Sequence, residues 1–163
     1  MTNPKLPQMP RALALAAKPL PLAPITLMLT KLTRQLMRRH PGLQRRLGAD
    51  ADRRFLLDLT DLPFLLLLEP GGTMPCVTAV SRRRPPAHDT RIAGLTAAFL
   101  GMMHGSLDGD ALFFSRDLVI EGDTAAGLAL RNAIDDAELD LAAELNVMLK
   151  PLAPLLAGLL PSV

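Results

Sequence analysis

Residues Asp110–Leu139 read DALFFSRDLVIEGDTAAGLALRNAIDDAEL. Two adjacent phenylalanines lead into a short β-forming run, a Gly122-Asp123-Thr124 corner and an apolar helix. Leu118 and Ile120 alternate with Asp117, Val119 and Glu121, the period-two pattern of a half-buried strand. Gly122 accepts a backbone conformation that other residues resist, and Asp123 is a natural N-cap for a helix from Thr124 to about Asp136. The stretch therefore predicts a strand-to-helix corner. Glu121 and Asp123 sit close together, but no companion acid, base or nucleophile stands beside them, which argues against catalysis.

Upstream of this corner the chain changes texture twice. Residues 1–24 hold six prolines and read as an extended arm. Ile25 to Arg39 is helical: Ile25, Leu29, Leu32 and Leu36 share one face, with Lys31, Arg34, Arg38 and Arg39 elsewhere around it. Pro41 ends that helix, and GLQRRLG adds a short turn up to Gly48. RRFLLDLTD, PFLLLLEPGG, TMPCVTAVSRRR and HDTRIAG are strand candidates, the second closed by a Pro70-Gly71-Gly72 turn. Leu95–Gly105 is a charge-free helix. Helix continues over Glu138–Leu149, after which Pro151 and Pro154 interrupt a Leu-rich end. The order predicts an α+β domain with an antiparallel sheet over about residues 50–140. The chain divides into an arm with a basic helix (1–48), a mixed domain (49–141) and a Leu-rich tail (142–163).

Charge is polarised along the chain. Residues 1–54 carry a net +9, residues 55–105 are neutral, and residues 106–163 carry −7. A basic head prefers an anionic surface: lipid, nucleic acid or an acidic partner. Nucleic acid is the weakest of these, because single-strand binding relies on aromatic stacking and residues 1–54 contain no aromatic side chain. The basic helix either lies on an anionic membrane or packs on the core, and Lys31, Arg34, Arg38, Arg39, Arg45 and Arg46 are the candidate membrane contacts. Arg82-Arg83-Arg84 is either a lipid or partner contact or a solvated turn.

The longest charge-free runs, Ile92–Leu107 and Pro151–Val163, fall short of a membrane span. The ALALAA run near the start lacks a cleavage signature, so a cytoplasmic, peripherally membrane-associated protein is expected. The lone Cys76 and the scattered His40, His88 and His104 show no metal-ligand spacing. Asp108-Gly109-Asp110 lacks the further ligands of a calcium loop and reads as a turn.

The strand Arg116–Asp123, ending Leu-Val-Ile-Glu-Gly-Asp before a helix, resembles the signature of sterol carrier protein type 2 domains. More closely, Leu112-Phe113-Phe114, Leu118–Thr124 and Asp136–Leu139 resemble the UbiT-like subfamily of accessory factors for oxygen-independent ubiquinone biosynthesis. The resemblance implies a sheet of about five strands with helices packed to leave an apolar tunnel, lipid binding without catalysis, and no cofactor. It also implies a polyprenylated quinone precursor or membrane phospholipid as ligand, and UbiU/UbiV-like iron–sulfur proteins as partners. A general phospholipid or acyl-chain carrier of the same fold, with no tie to quinones, is the alternative.

Candidates for the tunnel wall are Leu95, Phe99, Met102 and Met103 on the charge-free helix, with Leu118 and Ile120 on the strand. Leu128 and Ile134 on the following helix join them. Phe113 and Phe114 point to opposite sides of an extended segment, so each belongs either to the wall or to the core. Flexible methionines suit an adaptable lipid surface, and ordinary core packing is the competing role for every residue here.

Overall fold

The computed structural model describes residues 22–71, 74–103, 116–135 and 137. Helix α1 (Leu22–Arg39) is followed by α2 (Pro41–Leu47) and a short 3-10 turn (Gly48–Asp52). Strands β1 (Phe55–Leu59), β2 (Phe64–Glu69), β3 (Cys76–Ser81) and β4 (Thr90–Gly94) come next. Helix α3 (Thr96–Met103), strand β5 (Leu118–Gly122) and helix α4 (Thr124–Asp135) complete the described elements. The α+β class, the five strands and the strand-to-helix corner are as the sequence predicts.

Helix α1 begins at Leu22, three residues before the apolar stripe suggests. Pro24 does not prevent this, because an amide in the first helical turn has no intrahelical acceptor to lose.

The sheet is mixed rather than antiparallel, with strand order β3-β2-β1-β4-β5. β1 pairs antiparallel with β2, in register Phe55↔Leu68, and parallel with β4, in register Phe55↔Thr90. The connection between β3 and β4 is the reason. Residues 82–89 hold Pro85 and Pro86, which cannot make a tight hairpin. They carry the chain past β2 and β1 to the far side of β1. Arg82 pins the start of this crossing: its Nε donates to Leu62 O (2.8 Å) and its Nη2 to Leu59 O (2.7 Å).

Because side chains alternate along a strand, the registers place Phe55, Leu57, Leu59, Leu66, Leu68, Val77, Ile92, Leu118 and Ile120 on one face. The main core forms there, joined by Leu36 of α1, Leu43 and Leu47 of α2, Ala98, Phe99 and Met102 of α3, and Ala126, Leu130 and Ala133 of α4. The helix expected to belong to a separate arm therefore shares the core with the sheet, and the division at residue 48 does not separate two packed units. Leu56, Leu65 and Leu67, on the opposite face, form a second buried cluster.

Two glycines set how α4 meets the sheet. Gly122 has φ +83°, the left-handed region that favours glycine, and lets β5 turn into α4. Asp123 caps that helix, its Oδ1 accepting from Ala126 N at 3.1 Å. At Gly127 a Cβ would fall 2.6 Å from Ile120 Cγ2 and 3.1 Å from Thr90 Cγ2, so only glycine lets the helix lie this close.

Candidate functional site: an apolar cavity between sheet and helices

Between the inner sheet face and the helices lies a cavity of about 280 Å³. Leu29, Leu32, Thr33, Leu36 and Met37 of α1 and Leu43 and Leu47 of α2 form one wall. Leu57, Leu59, Leu66, Leu68, Val77, Ile92, Leu118 and Ile120 form the floor. Phe99, Leu100 and Met102 of α3, with Leu130, Arg131 and Ile134 of α4, close the remainder. Thr33 and Arg131 are the only polar residues among these, and the Thr33 hydroxyl is already donated to Leu29 O at 2.9 Å. Leu100 lines the cavity and is 38% exposed, so the cavity reaches the surface beside α3.

The volume lies just below the roughly 300–1,000 Å³ range typical of small-molecule pockets. A wall this poor in polar groups offers water almost no partners, which suits the space to an apolar occupant.

Five of the ten residues expected on the wall are there: Phe99, Met102, Leu118, Ile120 and Ile134. Leu128 is not. It lies on the outer surface of α4 and is 39% exposed, because Leu130 and Ile134 define that helix's inner face. Leu95 precedes α3, is half-buried and stays off the wall. Met103 ends α3, while Phe113 and Phe114 lie outside the described residues. Sequence reasoning missed the contributions of α1, α2 and the first three strands. The 29/32/36 stripe of α1 was a usable signal for the first; Phe64–Leu68, apolar at every position, offered none for the strands.

The basic residues expected at a membrane lie on α1 and α2. Lys31, Arg38, Arg39, Arg45 and Arg46 are exposed, and Arg34 is half-buried with its Nε donating to Pro75 O at 3.3 Å. Among the described residues no helix is long and apolar enough to cross a membrane.

Charge on the outer sheet face is organised around Asp58, whose side chain is 5% exposed. Arg82 Nη1 lies 2.7 Å from its Oδ1 and Arg91 Nη2 lies 2.5 Å from its Oδ2, while Arg91 also pairs with Glu121. Burial alone would raise the Asp58 pKa. The hydrogen bonds and charges of Arg91 and Arg82 outweigh it and hold the carboxyl below its ordinary value. Glu121 thus has a structural partner across the β4–β5 pair. Cys76 Sγ donates to Glu69 at 3.6 Å, and burial followed by the Glu69 charge pushes the thiol pKa up. A thiol held protonated is a poor nucleophile.

The architecture is a five-stranded sheet and a helical layer separated by an apolar space. The chain belongs to the SCP-2 sterol transfer family, which it matches over residues 32–135. Among solved structures it is similar to one titled "UbiJ-SCP2 Ubiquinone synthesis protein", with TM-score 0.58 and 17% identity over 74% of this chain and 98% of that one. It is also similar to sterol carrier protein 2 from Yarrowia lipolytica in its apo form, with TM-score 0.48 and 13% identity over 68% of this chain and 90% of that one. A sterol carrier protein domain of Helicoverpa armigera gives TM-score 0.47 and 13% identity over 68% and 88%. No curated protein sequence matches the chain.

Proposed function

We propose that this protein is a non-catalytic lipid carrier whose cavity encloses the apolar part of a polyprenylated quinone precursor, serving oxygen-independent ubiquinone biosynthesis. The observation that carries the lipid reading is the cavity wall, apolar in all but two of its described residues. A polyprenyl chain is poorly soluble in water, so a pathway that modifies its aromatic head gains from a protein that shields the tail. Support for the quinone assignment is the likeness of Leu118–Thr124 to the UbiT-like pattern. A structural neighbour titled as a ubiquinone synthesis protein adds to it. The redox chemistry would belong to UbiU/UbiV-like iron–sulfur partners. In this chain the half-buried thiol of Cys76 and the ion-paired Glu121 have structural roles. The exposed bases of α1 and α2 would hold the carrier at an anionic membrane where the precursor resides.

One observation favours a second reading, a carrier of phospholipid or acyl chains unconnected to quinones. Arg131 is the charged residue among the described wall residues, and a guanidinium suits a phosphate or carboxylate head. Mass spectrometry of lipid extracted from the purified protein tests both. Prenylated aromatic compounds are the expected result. Phospholipid alone would transfer the conclusion to the second reading, and a protein that neither carries nor takes up any lipid would overturn both.

A further inference from the structure

Helix α1 meets the sheet through an unusual contact: it docks on the free edge of β3. Thr26 Oγ1 accepts from Ala79 N at 2.9 Å. Thr30 Oγ1 donates to Val77 O at 2.8 Å and accepts from Val77 N at 3.3 Å. Arg34 Nε donates to Pro75 O at 3.3 Å. The helix positions advance by four as the strand positions fall by two. Four helical residues rise about 6 Å and two strand residues about 6.6 Å, so the two elements stay in step over three contacts. β3 is an edge strand, paired with β2 on its other side, and these contacts occupy backbone groups that would otherwise face outward.

The rest of the helix is held lightly. Of its eighteen residues only Leu36 is buried; Leu29, Leu32 and Met37 touch the main core but stay partly buried, because the same face lines the cavity. Beyond His40 the attachment changes. α2 is anchored by Leu43 and Leu47, which are 3% and 2% exposed within the main core. A weakly packed helix, fastened by polar contacts along one side and joined at Pro41 to a firmly packed one, has the construction of a hinged panel.

We infer that α1 is a hinged wall of the cavity, latched to the β3 edge by Thr26, Thr30 and Arg34 and turning about His40–Pro41 to admit the ligand. Release of the latch uncovers Leu29, Leu32 and the floor at Val77 in one movement. The sheet itself stays paired, since β1, β2, β4 and β5 owe none of their ladder to α1. The entrance function rests on the carrier reading; the hinge does not.

Native-state hydrogen exchange tests the hinge in the unmodified protein. The Val77 and Ala79 amides should exchange at least tenfold faster than the ladder amides of β1. In T26V/T30V the gap should widen while β1 protection is unchanged. If Val77 and Ala79 exchange only together with β1, through global unfolding, the hinge is wrong. Uptake of a fluorescent fatty acid tests the entrance. A disulfide between Thr26→Cys and Ala79→Cys, in a Cys76→Ser background, should slow uptake at least tenfold, with recovery on reduction. Equal uptake in the oxidised and reduced forms would overturn the entrance role. Failure of the probe to bind either form or the wild type would count against the carrier reading, leaving hydrogen exchange to decide the hinge.

Discussion

Arg82, at the end of β3, reaches across the outer face of the sheet and places Nη1 2.7 Å from Oδ1 of Asp58 on β1. The same guanidinium holds the carbonyls of Leu59 and Leu62, so one side chain ties the β3–β4 crossing to the central strand. Replacing Asp58 by Asn removes the buried charge that both Arg82 and Arg91 satisfy. Urea denaturation at pH 7 should show a loss of about 2 kcal/mol, discounted from larger buried-pair values because both guanidinia are about one-third exposed.

The same pair sets an acid limb. Asp58 has a folded-state pKa below its ordinary value, so its stabilising effect is complete above the unfolded pKa, near 4. It is lost as pH falls through the folded pKa. Wild-type stability should therefore drop between about pH 5 and pH 2 by more than that of Asp58→Asn. Parallel acid titrations followed by circular dichroism check this, and identical slopes would remove Asp58 as a source of the limb.

The strand-to-helix corner offers a backbone test. Gly122 combines φ +83° with a position where a Cβ would lie 2.4 Å from the Asp89 carbonyl oxygen. Gly122→Ala should lower stability by about 1–3 kcal/mol. Asp123→Ala, which loses the cap on Ala126 N and leaves the backbone unstrained, should cost about 1 kcal/mol. Thermal melts that reverse this order would mean that the cap, not the left-handed glycine, fixes the corner.

This corner was also the most legible part of the sequence, because each signal there is local. Alternation at Leu118 and Ile120, a glycine for the turn and an aspartate for the cap need no partner from elsewhere to be read. The parallel β1–β4 pair was not legible, since it depends on where the Arg82–Asp89 crossing lands and on Arg82 finding Asp58. The cavity floor was hidden for another reason. In Phe64–Glu69 the leucines alternate between the cavity face (Leu66, Leu68) and the opposite cluster (Leu65, Leu67), and both sets are apolar. Period-two contrast vanishes when both faces are buried. Leu128 was misplaced because α4 carries leucines at 128 and 130, on its outer and inner sides, and spacing alone does not say which side meets the sheet.

The basic surface of α1 gives a prediction that salt can read. Lys31 and Arg38 are exposed on the side of α1 away from the cavity, together with Leu27, which is 59% exposed. An exposed leucine among bases suits an anionic interface, where each base adds about 1 kcal/mol. Lys31→Glu with Arg38→Glu should reduce flotation with anionic vesicles at least tenfold at low salt, leave the fold intact by circular dichroism, and make little difference in 1 M salt. Equal flotation with neutral and anionic vesicles in the wild type would assign these bases another role.

The cavity itself is tested by contrasting a residue that faces it with one that does not. Leu57 stands on the central strand, lines the cavity and is only partly buried, so there is space beside it. Leu57→Trp would place an indole where the lipid tail is proposed to sit. Part of the penalty of an oversized core residue should be recovered by filling the void, so the variant should fold with a stability within about 1–2 kcal/mol of the wild type. Lipid uptake should fall at least tenfold, because the added ring and the ligand compete for one space. Leu128→Asp is the control. Its side chain is at the outer surface of α4, where a carboxylate stays hydrated, so uptake should match the wild type. Both proteins should melt cooperatively before their uptake is compared. A folded Leu57→Trp protein that still took up lipid at the wild-type level would show that the lipid sits elsewhere than between the sheet and α1.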